Sequence, residues 1–406
     1  MNSRTSIPSR STITLDTVNA DLELGRHTTV KASKPQATVT VLGTVYCEGD
    51  DVFECSLSAE NLEAEGTVGI QGDLEIKGTV EVEDGSLEVY GNMTAEEVDV
   101  DRTLYVKKNF TGTDVDVGGS MEVGGNAKAE NIEVGGTFDA KGEVAAESIE
   151  VGGSLTVGSI SSIKSLEVGG SATVTGGRVE EIDVGGTFES NGSLEFEEID
   201  VGGTVRLNGK SRGGEIEVGG TFESDGDLAF DAIDVGGRVK IRGMATGEHL
   251  EVGGRVDIDG SLRLSGTLEI GGRIQATGQI EAENIEIGGT LEASRVTAKE
   301  KVEVGGSIHT KEGTHGTVVE IGRKGEVKGP VRAQRAIISR DAHAENVYGK
   351  EVLLRTGAEA ENIYGERITI EAHCRIHGEI LYTDKLQLGE DVSLAKNPQR
   401  VSTLPP

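Results

Sequence analysis

In the stretch NIEVGGTFDAKGEVAAES, Asn131 to Ser148, apolar or small residues alternate with polar ones in three short runs. The runs are Ile132 and Val134, Phe138 and Ala140, and Val144 and Ala146. Gly135-Gly136, Gly142 and Glu147-Ser148 separate them. A period of two over a few residues predicts a strand, and the 3.6-residue period of a helix is absent. Three strands and three tight corners make one turn of a three-sided solenoid. Glycine suits the corners because it reaches positive φ without a Cβ penalty. Asn131, Asn284, Asn346 and Asn362 stand at similar corners, and asparagine is the next most tolerant residue.

The unit repeats. Anchored on the first apolar residue of each Ile-Glu-Val run, it recurs at Val98, Val115, Ile132, Ile149, Leu166, Ile182, Ile199, Ile216, Ile233, Leu250, Leu268, Ile285, Val302 and Val319, at steps of 16 to 18 residues. With more drift the register extends upstream to Leu22, Val39, Leu62 and Val80, and downstream to Ile337, Val352, Ile368 and Leu386. That makes 22 units and predicts an all-β fold, a three-sided β-helix of about 17 residues per turn. Seventeen residues with unequal faces fit a right-handed helix better than the strict 18-residue left-handed one. At about 4.8 Å per turn the expected rod is about 100 Å long, too thin to enclose a ligand cavity.

The expected organisation is a polar tail and cap over 1–21, one continuous β-helix over 22–395 and a polar tail over 396–406. Within the β-helix, 22–97 forms irregular first turns, 98–322 regular repeats and 323–395 less acidic final turns. Both tails are expected to be poorly ordered, because proline and polar residues do not join ladders readily.

Composition agrees with a solenoid. Aromatic residues make up 3% of the 406 and there is no Trp, while glycine reaches 60. Valine, isoleucine, alanine and glycine suit narrow, closely approaching strands. The net charge of −31 argues against nucleic acid, which demands phosphate-neutralising Lys and Arg. No apolar leader, no 18-residue apolar span and no amphipathic anchor is visible, so no direct membrane insertion is expected. Cys47, Cys55 and Cys374 are too few for a disulfide framework and read as reduced thiols, which places the chain in the cytoplasm.

The residue after each anchor is acidic over sixteen turns: Glu63, Glu81, Asp99, Asp116, Glu133, Glu150, Glu167, Asp183, Asp200, Glu217, Asp234, Glu251, Glu269, Glu286, Glu303 and Glu320. Flanked by inward residues, these carboxylates must point outward and stack. Such a ladder keeps a β-rod soluble. It could also take cations or basic protein partners, although the other outward positions, Asp139, Thr156, Glu189, Arg206 and Lys240, are mixed and supply no ligand cage.

The ladder then stops, with Ile338, Leu353, Thr369 and Gln387 expected as its successors. Tyr348, Tyr364 and Tyr382 each precede the following anchor by four residues and are expected to stack. Residues 41–322 hold 21 Lys/Arg against 55 Asp/Glu, residues 1–40 hold 5 against 3, and residues 323–400 hold 13 against 12. A strongly acidic shaft between near-neutral ends favours joining through the ends, with side-by-side bundling expected only at high salt or with divalent cations. Candidate interface residues are Leu22, Leu24, Val39 and Val41 at one end, and Leu386, Leu388, Val392 and Leu394 at the other. Ile338, Leu353, Tyr348, Tyr364 and Tyr382 offer a symmetric tail-to-tail variant.

Catalytic chemistry is not visible. His373, Cys374 and His377 lie close together but lack a fourth ligand. His249, His309, His315 and His343 fall at unrelated phases of the repeat. No unit is long enough to build a cleft, except the 23 residues from Val39 to Leu62. No P-loop, nucleophile elbow or dinucleotide fingerprint occurs. No enzyme activity, metal or cofactor is therefore expected.

The serial EVGGTF turns and the run GEVKGPVRAQRAIISRDAHAENVYGKEVLL resemble the bactofilins, polymer-forming cytoskeletal proteins of bacteria and archaea. The resemblance spans most of the chain and implies a right-handed β-helix that polymerises end to end without nucleotide. The chain departs from that family in having far more turns and no apolar membrane-targeting tail. The expected function is a cytoskeleton-like homopolymer. The alternatives are a soluble monomeric or dimeric solenoid acting as a binding scaffold or spacer, and, more remotely, a carbohydrate-active β-helix enzyme.

Overall fold

The computed structural model describes residues 4–405, and every regular element among them is a β-strand. The chain divides into two compact units, Met1–Gly202 and Gly203–Pro406. Each is a β-solenoid built from parallel pairing of successive turns.

In the first unit, Asn131–Val134 pairs with Asp114–Val117 of the preceding turn and with Ser148–Val151 of the next. Thr137–Ala145 carries the other two sides of the same turn, pairing with Ser120–Val123 and then with Ala127–Lys128. Alternation sets the core: Ile132, Val134, Phe138, Ala140 and Val144 are buried, while Glu133 is exposed. In the second unit, Ile285 lies between Leu268 and Val302 in the same inward column. Stability therefore comes from columns of like side chains, each buried aliphatic contributing about 1.5–3 kcal/mol, and not from one central core.

The glycine pairs act differently from expectation. None of the Val-Gly-Gly corners has positive φ. Instead, a Cβ at Gly135 would stand under 3.0 Å from the Gly118 carbonyl oxygen, and one at Gly136 equally close to that of Gly119. Gly288 and Gly289 face Gly271 and Gly272 in the same way. Turns stack so tightly at this corner that only hydrogen fits. Non-glycine residues take positive φ at corners of the outer turns, among them His27, Asp50 and Asp84 in the first unit and Lys324, Asp341, His373 and Asp391 in the second. In the regular turns positive φ falls instead on glycines such as Gly177, Gly209, Gly226 and Gly243.

A side-chain ladder reinforces another corner of the first unit. Ser56 Oγ accepts from the Asp73 amide, and Asp73 Oδ1 accepts from the Asn92 amide. Asn92, Asn109 and Asn126 then pass the contact upward, ending on the Glu143 amide at 2.9 Å. Asn346 and Asn362 repeat the device in the second unit, where Asn362 Oδ1 accepts from the Glu379 amide. Asparagine here feeds amides of the adjacent turn and does not supply positive φ.

Four expectations about register and termini are corrected. Strand pairing begins at Arg4–Ile7, which pairs with Asp21–Leu24, so residues 4–18 form a turn and not a free tail. The inward column of Leu22 continues to Val45 and then Leu62, whereas Val39 pairs with Leu57 on a different side. The long coil thus runs from Leu22 to Val45. In the second unit, Val319 stacks on Ala336, so Ile337 follows Glu320 in the acidic column and Ile338 is fully buried. Ala-Ile-Ile allows either parity by hydrophobicity alone, and the small alanine takes the inward place. At the far end, Gln399–Arg400 pairs with Leu381–Tyr382, so part of the final tail does join a ladder.

Candidate assembly interface

Two surfaces stand out, the acidic columns and the terminal turns. In the first unit Glu63, Glu81, Asp99, Asp116, Glu133, Glu150, Glu167, Asp183 and Asp200 pair turn by turn. In the second unit Glu217, Asp234, Glu251, Glu269, Glu286, Glu303 and Glu320 do the same. Fourteen of these sixteen side chains are exposed, and Glu303 and Glu320 are half-buried. Partial burial raises the Asp99 carboxyl, and the neighbouring Asp116 and Asp101 push it in the same direction. Cations relieve the crowding at the upper end: Lys301 reaches Glu303.

Beyond Glu320 the column becomes Ile337, Leu353, Thr369 and Gln387. The tyrosine stack beside it has two members, not three. Tyr348 and Tyr364 stack with ring centroids 4.7 Å apart, and the Arg332 guanidinium covers Tyr348 at 4.2 Å. A register shift after Gly365 sets Tyr382 over that glycine and Leu381 over Tyr364. Burial raises the Tyr364 hydroxyl to about 12, with its 2.9 Å hydrogen bond to Glu379 adding to the effect. Tyr364 is a buried strut and Leu353 is half-buried.

The terminal candidates divide sharply. Leu22, Leu24, Val39 and Val41 are buried, because residues 4–18 cover Leu22 and Leu24. The first edge is instead formed by Arg4–Ile7, Thr12–Leu15 and Thr17–Val18, with Ile13 and Leu15 half-buried and Thr5 exposed in the anchor position. At the other end Leu386, Val392 and Leu394 are half-buried and Leu388 is 46% exposed. Among the described residues, no onward strand covers Lys385–Leu388 or Ser393–Leu394. Two leucine-bearing edges are left open beside one closed by Gln399–Arg400.

The His373, Cys374 and His377 side chains do not converge. Cys374 is buried, its thiol raised by burial, whereas exposed His373 faces Asp391 at 3.8 Å and His377 meets Glu359 at 3.2 Å. Cys47 and Cys55 are also free and buried. Among the described residues, no group of three or more His, Cys, Asp or Glu is placed to hold a metal ion, and no helix is long and apolar enough to cross a membrane.

Two features escaped the sequence reading. Asp51 is fully buried, and burial raises its carboxyl to about 6 although the Thr28 and Gly49 amides donate to it. It follows the exposed Asp50 in an acidic Glu48-Gly49-Asp50-Asp51 run that reads as a surface corner, so nothing marked it. The second feature was visible: arginine follows the glycine pair in GGRVK, GGRVD and GGRIQ, where most turns have Thr or Ser. No protein-family profile, curated protein sequence or solved structure matches the chain.

Proposed function

We propose that this protein is a non-enzymatic, cytoskeleton-like structural protein of the cytoplasm. It assembles end to end into filaments without nucleotide, as the resemblance to the bactofilins implies. The observation that supports this most is the leucine-bearing final turn, with uncovered strands at Lys385–Leu388 and Ser393–Leu394. Unpaired strand edges are templates for another chain. Stacked on the first turn of a second copy, Leu386 and Leu388 would extend the column that begins at Thr5 and Ile7. Repulsion between the acidic columns directs copies toward these edges. The columns themselves are available to cations or basic proteins.

A second reading is a soluble monomeric or dimeric solenoid that acts as a scaffold or spacer. The strand Gln399–Arg400, folded back over Leu381–Tyr382, favours it because it caps one side of the last turn. Negative-stain microscopy of the purified protein, without nucleotide, separates the two. Filaments are expected. Discrete particles at every concentration and salt level would establish the second reading.

A further inference from the structure

The second unit carries a basic ladder whose repeat equals that of the acidic column. In the position just past the Gly-Gly corner, Thr221 is followed turn by turn by Arg238, Arg255, Arg273 and then Thr290. The equivalent column of the first unit reads Ser86, Thr103, Ser120, Thr137, Ser154, Ser171 and Thr187. A neutral hydroxyl ladder thus gives way to three consecutive arginines.

Their surroundings keep the patch cationic. Asp257 alone serves two of them: Arg238 Nη2 lies 2.5 Å from Oδ2, and Arg255 Nη2 lies 2.7 Å from Oδ1. That carboxylate is 18% exposed, while the two guanidinium side chains are 51% and 49% exposed. Arg273 turns to Glu292 at 2.8 Å and leaves its Nε without a partner. The outward column beside them holds Lys240, Asp257 and Gln275. Counting the partners of all three arginines, the face therefore carries four cations, Arg238, Arg255, Arg273 and Lys240, against two anions, Asp257 and Glu292, on a chain of net charge −31.

We infer that the ladder Arg238, Arg255 and Arg273 docks sideways on the acidic column of a second copy of this chain. Both columns advance by one strand pairing per turn, so both repeat at about 4.8 Å and align at every turn. Guanidinium groups suit this contact because they bind carboxylates through paired donors while holding a third partner. The large acidic excess disfavours a nucleic acid or other polyanion at the same place. Exposed pairs are individually weak and screened, so the contact forms at low salt and dissolves at high salt. That dependence reverses the bundling expected from net charge alone. The inference does not require the end-joined filament.

The test uses the full chain carrying L388K/V392K/L394K, which removes the proposed end contact. Sedimentation velocity in about 25 mM NaCl should show self-association that disappears in about 500 mM NaCl. R238E/R255E/R273E should weaken it about tenfold or more. R263E/R295E/R375E, with the same charge change elsewhere, should weaken it far less. Circular dichroism confirms that each variant is folded. In R238K/R255K/R273K, mixed from isotope-labelled and unlabelled chains, a zero-length carbodiimide should link residues 238, 255 or 273 of one copy to acidic-column carboxylates of another. A low-salt monomer, equal loss in both glutamate variants, or intermolecular links that avoid the acidic column would overturn the proposal. So would arginine-dependent retention of a sulfated polysaccharide without self-association.

Discussion

Turns with Gly-Gly corners and turns with left-handed corners close the same coil by different means. In the regular turns, Gly288 and Gly289 let one backbone rest on the carbonyls of the turn before it. In the final turns the corner is longer, and one residue takes positive φ: Lys324 at 61°, Asp341 at 58°, Gly357 at 77°, His373 at 60° and Asp391 at 51°. The outward column changes at the same point, from Glu303 and Glu320 to Ile337 and Leu353. In the second unit, close backbone contact without side chains accompanies the charged face and strained corners accompany the more apolar one, whereas in the first unit the left-handed corner at Asp84 follows Glu81 of the acidic column. The final turns thus hold strain that the middle turns avoid.

That contrast can be broken most severely at the tight corner. G288A/G289A should cost about 2–6 kcal/mol, read from chemical denaturation, because two methyl groups must displace backbone and not flexible side chains. An unchanged midpoint would show that the corner has room.

The outer turns of the first unit share the left-handed corner, at Gly49 and Asp50, and there Asp51 is buried. Its carboxyl is raised from 3.8 to about 6, so the folded state holds the proton more tightly than the unfolded state. Its contribution is therefore most favourable below about pH 4 and is lost as pH rises through 6, by up to about 3 kcal/mol. D51N should flatten that part of the stability–pH profile. A profile of undiminished slope would assign it to other groups.

Relief of strain should be smaller and opposite in sign. K324G and H373G should each stabilise the protein by about 0.5–1 kcal/mol, since a non-glycine residue in this conformation costs more than the flexibility glycine adds to the unfolded chain. Destabilisation by both would mean that their side chains contribute more than their backbone costs.

Much of this was legible because alternation with a fixed period leaves few choices. Ile132, Val134 and Phe138 had to face inward once Glu133 and Asp139 were read as outward. The first turn was missed because Thr5, not an aliphatic residue, occupies the anchor position. The parity at Ile337 was lost because a small alanine precedes two isoleucines. Tyr382 fell out of its stack through one extra residue, which periodicity registers only as drift. The reason for the glycine pairs was hidden, since positive φ and close approach select the same residue. The arginine ladder was plain in the spacing yet unread, because the outward column called mixed was that of Asp139 and Lys240, two residues beyond the position that Arg238, Arg255 and Arg273 occupy. The end surface was half legible: Leu386 and Leu388 follow from the last repeat, but the covering of Leu22 and Leu24 depends on residues with no hydrophobic signature.

The central claim is that copies join through the uncovered strands of the last turn. The most direct measurement is nucleotide-free electron microscopy of the wild-type chain beside L388K/V392K/L394K, with circular dichroism confirming that both are folded. The account predicts filaments for the wild type and none for the variant at the same concentration. Filaments of equal length from the folded variant, or none from the wild type, would contradict it.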